Sequence, residues 1–239
     1  MRFLCGNMYC LQTTKKVNIY INMDETIYFN KTKESELRQR NIVIGKNVKI
    51  GNGVKLGCNI CLLGETTIGD NSIIFSNSVI ENCVIGSNVV IRSSMLENCR
   101  VDNSTEVGPF AHIRSNAIIG ENCRIGNFVE IKNSIISNNC KIAHLSYVGD
   151  AEIGEHCNIG CGVVFCNYNG IKKQKSYIGN FAFIGSNSNI VAPVNIEDYT
   201  YIAAGSTITK DVKKDELAIA RAHQVNKENF KNPYKEKFK

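Results

Sequence analysis

One stretch shows most clearly what decides the fold: Ile119-Gly-Glu-Asn-Cys-Arg-Ile125-Gly-Asn-Phe-Val-Glu-Ile131. An aliphatic residue recurs at every sixth position, and Gly follows two of the three. With occasional five-residue steps, the same spacing runs in both directions and covers residues 42–212. A period of six is neither the 3.6 of a helix nor the simple alternation of a strand. It fits one short strand and one corner, repeated.

Three such units close a triangular coil of roughly 18 residues, and each five-residue step shortens a coil by one residue. The aliphatic side chains point into the prism, while Gly and Asn occupy the corners. The pattern therefore predicts an all-β chain, a left-handed parallel β-helix of hexapeptide repeats with about nine coils over residues 42–212.

The repeat is interrupted once and fades at both ends. Residues 166–177 interrupt the six-residue spacing with a polar, lysine-rich insertion, which we expect to be a loop ejected from the solenoid. We expect residues 1–41 to be an N-terminal extension or lead-in and residues 213–239 to be a basic C-terminal tail. Polar residues interrupt the start of the chain, so no signal peptide is expected.

Composition supports an all-β protein in a reducing compartment. The 239 residues include 31 Ile and 30 Asn, which suit strands and tight corners respectively. The net charge is +6, with nine Lys or Arg and five Asp or Glu between positions 210 and 239. No apolar run could span a membrane, and no basic motif typical of nucleic-acid binding occurs.

The 11 cysteines are expected to be free thiols in a cytoplasmic protein. The pair Cys58 and Cys61 has no matching second pair, so no zinc site is expected. Cysteines that recur at intervals of 16 or 17 residues predict stacked positions in successive coils.

Several motifs resemble one known family. They are Val107-Gly-Pro-Phe-Ala-His-Ile-Arg114, Ile125-Gly-Asn-Phe-Val-Glu-Ile-Lys132, Ala143-His-Leu-Ser-Tyr-Val-Gly-Asp-Ala-Glu-Ile-Gly154, Cys157-Asn-Ile-Gly-Cys-Gly162 and Cys166-Asn-Tyr-Asn-Gly170. Together they are similar to the C-terminal acetyltransferase domain of the bacterial bifunctional N-acetylglucosamine-1-phosphate uridyltransferase and glucosamine-1-phosphate acetyltransferase. The likeness is near-continuous from about residue 105 to 225; before that, only the six-residue period is shared.

The resemblance implies transfer of acetyl from acetyl-CoA to the amine of glucosamine-1-phosphate, a step toward UDP-N-acetylglucosamine. It implies no metal for this step, and a homotrimer with sites between subunits. Residues 1–41 cannot supply the family's nucleotide-binding uridyltransferase domain. We therefore expect acetyl transfer without uridylyl transfer.

The resemblance also implies the site residues. The catalytic base is His144, since imidazole accepts a proton near neutral pH. The substrate-binding residues are Arg114, Lys132, Tyr147, Asn158 and Lys173. The acetyl-CoA-binding residues are Cys161, Asn167, Tyr168, Ser186, Ala204 and Arg221. Asn167 or Ser186 is a candidate donor to the thioester carbonyl. Cys161 departs from the family, which has Ala there.

Three other interpretations compete with this one. The same scaffold could acetylate another amino sugar or a sugar nucleotide, although three cations suit a 1-phosphate. It could be a non-catalytic solenoid, although His144 and the Asn167-Tyr168 pair are retained. A zinc site of the γ-carbonic-anhydrase type would need three His, and no inward-facing trio is present.

Overall fold

The fold is built from short strands joined by tight corners. The computed structural model describes residues 27–28 and 33–234 and contains thirty strands and one helix, α1 (Glu34–Gln39). The strands, in chain order, are β1 Ile27–Tyr28, β2 Ile42–Ile44, β3 Lys49–Ile50, β4 Lys55–Leu56, β5 Ile60–Leu63, β6 Thr67–Ile68, β7 Ile73–Ile74, β8 Val79–Glu81, β9 Val84–Ile85, β10 Val90–Ile91, β11 Met95–Glu97, β12 Arg100–Val101, β13 Glu106–Val107, β14 His112–Arg114, β15 Ile118–Ile119, β16 Arg124–Asn127, β17 Glu130–Lys132, β18 Ile135–Ile136, β19 Lys141–His144, β20 Tyr147–Gly149, β21 Ala151–Ile153, β22 Asn158–Ile159, β23 Val164–Cys166, β24 Ser176–Ile178, β25 Phe183–Ile184, β26 Asn189–Val191, β27 Asn195–Ile196, β28 Tyr201–Ile202, β29 Thr207–Ile208 and β30 Leu217–Ala218.

Every third strand belongs to the same sheet, so the chain winds as a three-sided left-handed parallel β-helix. The first sheet has eleven strands, from β1 through β4 and β7 to β28 and β30; the second has ten, from β2 to β29; the third has nine, from β3 to β27. All pairs are parallel except β1 with β4. The predicted architecture is confirmed, with about ten coils where about nine were expected.

The core is a set of aliphatic columns inside the prism. Ile113, Ile131 and Val148 are register partners in successive coils of the second sheet, and each is fully buried. Alternate residues along the same strands face outward, which is why short strands of two or three residues are sufficient. Replacing one such Ile by Ala would cost about 2–5 kcal/mol, since the neighbouring coils cannot collapse into the space.

The corners require a left-handed backbone. More than half of the non-glycine residues with positive φ are Asn, for example Asn71 (φ 58°) and Asn122 (φ 55°). Asn tolerates this region because its short polar side chain can hydrogen-bond locally. Bulky residues occupy some corners as well, including Phe110 (φ 58°), Phe128 (φ 55°) and Leu145 (φ 47°), and these three side chains are exposed.

Five of the nine described cysteines form two buried columns. All nine cysteines in the described ranges are free thiols. Cys83 and Cys99 lie in one column with their sulfur atoms 3.4 Å apart. Cys123, Cys140 and Cys157 lie in another, linked by backbone bonds that pass from coil to coil. The predicted stacking therefore occurs, at two different corners.

The insertion leaves the solenoid between β23 and β24. It forms a hairpin with a bridge between Tyr168 and Lys173, and the side chain of Asn169 accepts hydrogen bonds from two backbone N–H groups at the tip. The solenoid resumes when Ser176 pairs with Ala151. The predicted ejected loop is thus present. At the C-terminal end, β30 adds one strand to the first sheet, and residues 221–234 are exposed.

The single helix in the described part of the chain has six residues, and none there is long and apolar enough to cross a membrane.

Candidate active site

His144 lies at the corner between the first and second sheets, which we call the first corner. It is the last residue of β19, and Asn127 is its register partner at the end of β16. These are the two four-residue strands of the first sheet; its other strands have two residues each. The local extension of strand pairing by two residues therefore holds the backbone of His144 in the sheet ladder, whereas its side chain is exposed.

One side chain contacts the imidazole. The Nδ1 atom of His144 lies 2.7 Å from Oδ1 of Asn127. Gly126 allows this approach, because a Cβ at that position would lie 2.6 Å from the carbonyl carbon of Ala143. The Nε2 atom makes no hydrogen bond with the described residues.

Successive coils place predicted acetyl-CoA-binding residues above one another at the first corner. The backbone N–H groups of Gly162, Asn187 and Gly205 donate to the carbonyls of His144, Cys161 and Ser186 in the preceding coils. Each donor follows the next member of the column by one residue, so the column runs His144, Cys161, Ser186, Ala204. Neighbouring members are about 4.8 Å apart, as parallel strands are. Within the described ranges, the backbone N–H groups of Cys161, Ser186 and Ala204 donate to no other group.

Gly160 keeps this column open. A Cβ there would lie 2.6 Å from the amide nitrogen of Ser186 and would block access to it. The stem of Arg221 passes beside Gly205, at the far end of the column.

A cluster of cations lies at the end of the second sheet opposite the first corner, where Lys132 is the register partner of Gly149, five residues after His144. Arg114 and Lys132 are register partners on β14 and β17 and face outward. Lys173 of the hairpin reaches Lys132; this neighbouring ammonium group, and to a smaller extent burial, lowers the pKa of Lys132. Glu130 orients Arg114, whose Nε and Nη2 atoms donate to the same carboxylate oxygen at 2.8 and 2.6 Å. Three cations this close favour a dianionic ligand such as a phosphate monoester.

A buried network supports the same surface. Asn167, which is 7% exposed, donates from Nδ2 to Asp150 Oδ2 at 2.5 Å and to the hydroxyl of Tyr147 at 3.3 Å. Asp150 also accepts a bond from Asn133. Because both hydrogens of the Asn167 amide are engaged, Ser186 is the remaining side-chain candidate to donate to a thioester carbonyl.

The remaining predicted residues lie apart from His144 on a single chain. Asn158 lies on the outer surface of the first sheet, as the register partner of Lys141 and Phe183, whereas the cation cluster lies on the second sheet. Tyr168 is exposed in the hairpin, where its hydroxyl donates to the carbonyl of Gly170. A cavity of about 250 Å³ lies between the hairpin and the corner residues Asn116 and Asn133, and it does not include His144.

Sequence reasoning missed the supporting residues Asn127, Glu130 and Asp150. One signal could have identified Asn127: it precedes His144 by 17 residues, the length of a coil with one five-residue step. No group of three or more His, Cys, Asp or Glu in the described ranges is arranged to hold a metal ion.

Family models match two parts of this solenoid. Residues 95–169 match the model described as the GMPPB C-terminal domain. Residues 175–210 match the model described as bacterial transferase hexapeptide, six repeats. Both matches agree with the three-sided fold and its six-residue period, and each covers less than half of the chain.

Curated relatives align with most of this chain. The chain is 52% identical over 167 residues to the bifunctional protein GlmU of Clostridium botulinum, and 51% identical over 172 residues to that of Latilactobacillus sakei. These alignments cover 70% and 72% of this chain, but 36% and 37% of the relatives. The resemblance to the acetyltransferase domain of this bifunctional enzyme is confirmed, and the chain spans just over a third of the length of the relatives.

Two solved structures are similar to this chain at low identity. PerB from Caulobacter crescentus, determined with CoA and GDP-perosamine, is 22% identical with a TM-score of 0.43, covering 50% of this chain and 55% of PerB. UDP-N-acetylglucosamine acyltransferase from Campylobacter jejuni is 19% identical with a TM-score of 0.45, covering 75% and 71%.

Proposed function

We propose that this chain transfers acetyl from acetyl-CoA to the amine of glucosamine-1-phosphate, giving N-acetylglucosamine-1-phosphate for UDP-N-acetylglucosamine synthesis. The observation that carries the proposal is the placement of His144. It stands at one end of a column of unpaired backbone N–H groups, and the cation cluster of Arg114, Lys132 and Lys173 lies on the adjoining second sheet. The identity of about 50% to GlmU proteins supports the same reaction.

His144 supplies the base. The amine of the sugar attacks the thioester carbonyl carbon, a C–N bond forms, and Nε2 of His144 takes the proton that the nitrogen loses. The C–S bond then breaks, and the departing sulfur of CoA receives a proton, which returns the imidazole to its neutral form. The exposed Nε2 of His144 is the atom available for this exchange, because Nδ1 already contacts Asn127.

The first corner supplies the acetyl-CoA site. The N–H groups of Cys161, Ser186 and Ala204 donate to carbonyl groups of an extended ligand that runs along the column. The N–H group or hydroxyl of Ser186 also faces the negative charge that develops on the thioester oxygen. Arg221, at the far end of the column, pairs with a phosphate of CoA. Tyr168 and the buried Asn167 shape the hairpin side of the site.

The cation cluster holds the phosphate of the sugar. Arg114 offers a planar fork that Glu130 has already oriented, and the two lysines add point charges. A dianionic phosphate relieves the repulsion between Lys132 and Lys173. Tyr147, and Asn158 from the first sheet, hold the sugar ring.

The complete site requires a second copy of the chain. His144 and Lys173 are exposed on one chain, Arg114 and Lys132 are half-buried, and Asn158 lies on a different side of the prism. Phe110, Phe128 and Leu145 form an exposed apolar column beside His144, with the two Phe rings stacked at 5.5 Å. A homotrimer would cover this column and place the sites in the grooves between subunits. The nine free thiols support a reducing, cytoplasmic location.

Thiol release from acetyl-CoA tests the proposal. Glucosamine-1-phosphate, glucosamine-6-phosphate and free glucosamine are compared at equal concentration, with the oligomeric state checked by analytical ultracentrifugation. Turnover confined to the 1-phosphate is expected. Equal turnover of all three amines would indicate a different acceptor, and no turnover from a folded trimer would favour a scaffold.

A further inference from the structure

We propose that Asn127 is a positioning residue that holds His144 in the tautomer with a proton on Nδ1 and an unprotonated Nε2. This inference rests on the proposed function, in which Nε2 is the base. Neutral imidazole carries its proton on either nitrogen, and only the form with a free lone pair on Nε2 can accept a proton there.

The contact between the two side chains is built into the backbone. Asn127 and His144 are register partners, and the N–H group of Leu145 donates to the carbonyl of Asn127 at 3.0 Å. The extension of β16 and β19 to four residues brings both residues into the first sheet. The absence of a side chain at Gly126 permits the close approach. The lengthened strands and Gly126 therefore both contribute to the contact between Asn127 and His144.

The chemistry of the pair selects the tautomer. Oδ1 of Asn127 is an acceptor, and it lies 2.7 Å from Nδ1 of His144, so Nδ1 must carry the hydrogen. The bond also fixes the rotation of the ring, because the amide stands on the neighbouring coil, which does not move relative to His144. An acceptor bonded to one imidazole nitrogen commonly determines which of the two nitrogens keeps its lone pair free.

The test combines spectroscopy with kinetics on the full chain. The sequence has only four His residues, so ¹⁵N-histidine labelling gives a simple NMR spectrum, and His144→Gln identifies the signal of His144. Spectra are recorded at a pH where the ring is neutral. In the unmodified protein, we expect a protonated Nδ1 and an unprotonated Nε2.

Two variants separate positioning from packing. Asn127→Ala removes the acceptor and should give a mixture of tautomers, with kcat about tenfold lower and KM nearly unchanged, the factor that one ordinary hydrogen bond supplies. Asn127→Asp can only accept, so it should keep the Nδ1–H tautomer and most of the activity. The control is Asn47→Ala, which removes a comparable amide-to-Glu65 bond between exposed residues near the other end of the solenoid.

The outcomes are distinct. A proton on Nε2 in the unmodified protein, or an Asn127→Ala variant with unchanged tautomer and kcat, would overturn the inference. Loss of the tautomer in Asn127→Asp would also overturn it, since the amide would then be acting as a donor. If no amine is acetylated, the NMR result alone decides whether Asn127 positions His144, and only the proposed reaction fails.

Discussion

Gly126→Ala should damage both stability and catalysis through a single methyl group. The added Cβ would overlap the carbonyl oxygen of Ala143, and it would lie 2.6 Å from the carbonyl carbon of that residue. Reaching an ordinary contact distance of 3.4 Å from the carbonyl carbon alone requires β16 and β19 to separate by about 0.8 Å, and the nearer carbonyl oxygen requires a larger separation. Neither strand can move apart at low energetic cost, because the methyl group faces backbone atoms and not a flexible side chain.

The size of both effects follows from this displacement. Overpacking of this kind costs about 1–3 kcal/mol, or about 3–10 °C in melting temperature for a chain of this size. The same shift moves His144, and a displacement near 1 Å at a catalytic group can lower the rate about 100-fold. Thermal melting and the thiol-release assay measure the two effects on one preparation.

Gly45→Ala is the matched control, since Gly45 also follows an aliphatic residue at the end of a strand. Its nearest neighbour would be the carbonyl oxygen of Leu62 at 3.4 Å, an ordinary contact. This variant should melt within about 2 °C of the parent protein and keep its rate. If Gly126→Ala behaves as Gly45→Ala does, the packing between β16 and β19 does not hold His144 in place.

Three further perturbations test the binding surface. Arg114→Gln should raise KM for the sugar phosphate about 10- to 100-fold with little change in kcat, because it removes a charge-assisted contact; unchanged KM in steady-state kinetics would exclude a role in phosphate binding. Lys173→Gln should raise the pKa of Lys132 toward its ordinary range, since Lys173 is the main cause of its lowering. Lys132 then keeps its charge to higher pH, so the alkaline rise of KM should begin at higher pH than in the parent protein; identical pH profiles would contradict this. Asn167→Asp places a second carboxylate beside Asp150 in a buried network. Repulsion raises the folded-state pKa of the pair, so the variant should be destabilised at pH 8 and recover stability as the pH falls toward 5; a melting temperature loss that is independent of pH would refute this explanation.

The solenoid was predictable because its inward-facing residues recur with the six-residue period of the fold. Ile119, Ile125 and Ile131 each belong to a different side of the prism, and any shift of register would expose an Ile. The number of coils was less certain, because the pattern weakens where β30 adds a strand after residue 212.

The candidate site was predictable only where motifs carried it. His144, Arg114 and Lys132 follow from a resemblance; in the structure His144 lies at the first corner, whereas Lys132 pairs with Gly149 at the opposite end of the second sheet. Asp150 gave no signal, and Asn127 gave only its 17-residue interval from His144, since Asn and Asp occupy many corners for purely conformational reasons. Contacts between successive coils depend on register, and register becomes visible only when the coils are stacked.

The most direct measurement is the rate of acetyl transfer to glucosamine-1-phosphate by His144→Ala, with the affinity for acetyl-CoA determined on the same preparation. We expect kcat to fall about 10²- to 10⁴-fold, the usual contribution of a general base, while acetyl-CoA still binds as in the parent protein. Added imidazole should restore part of the rate. A variant that turns over within a factor of about two of the parent protein would show that His144 is not the base, since removal of a general base lowers a rate far more than that.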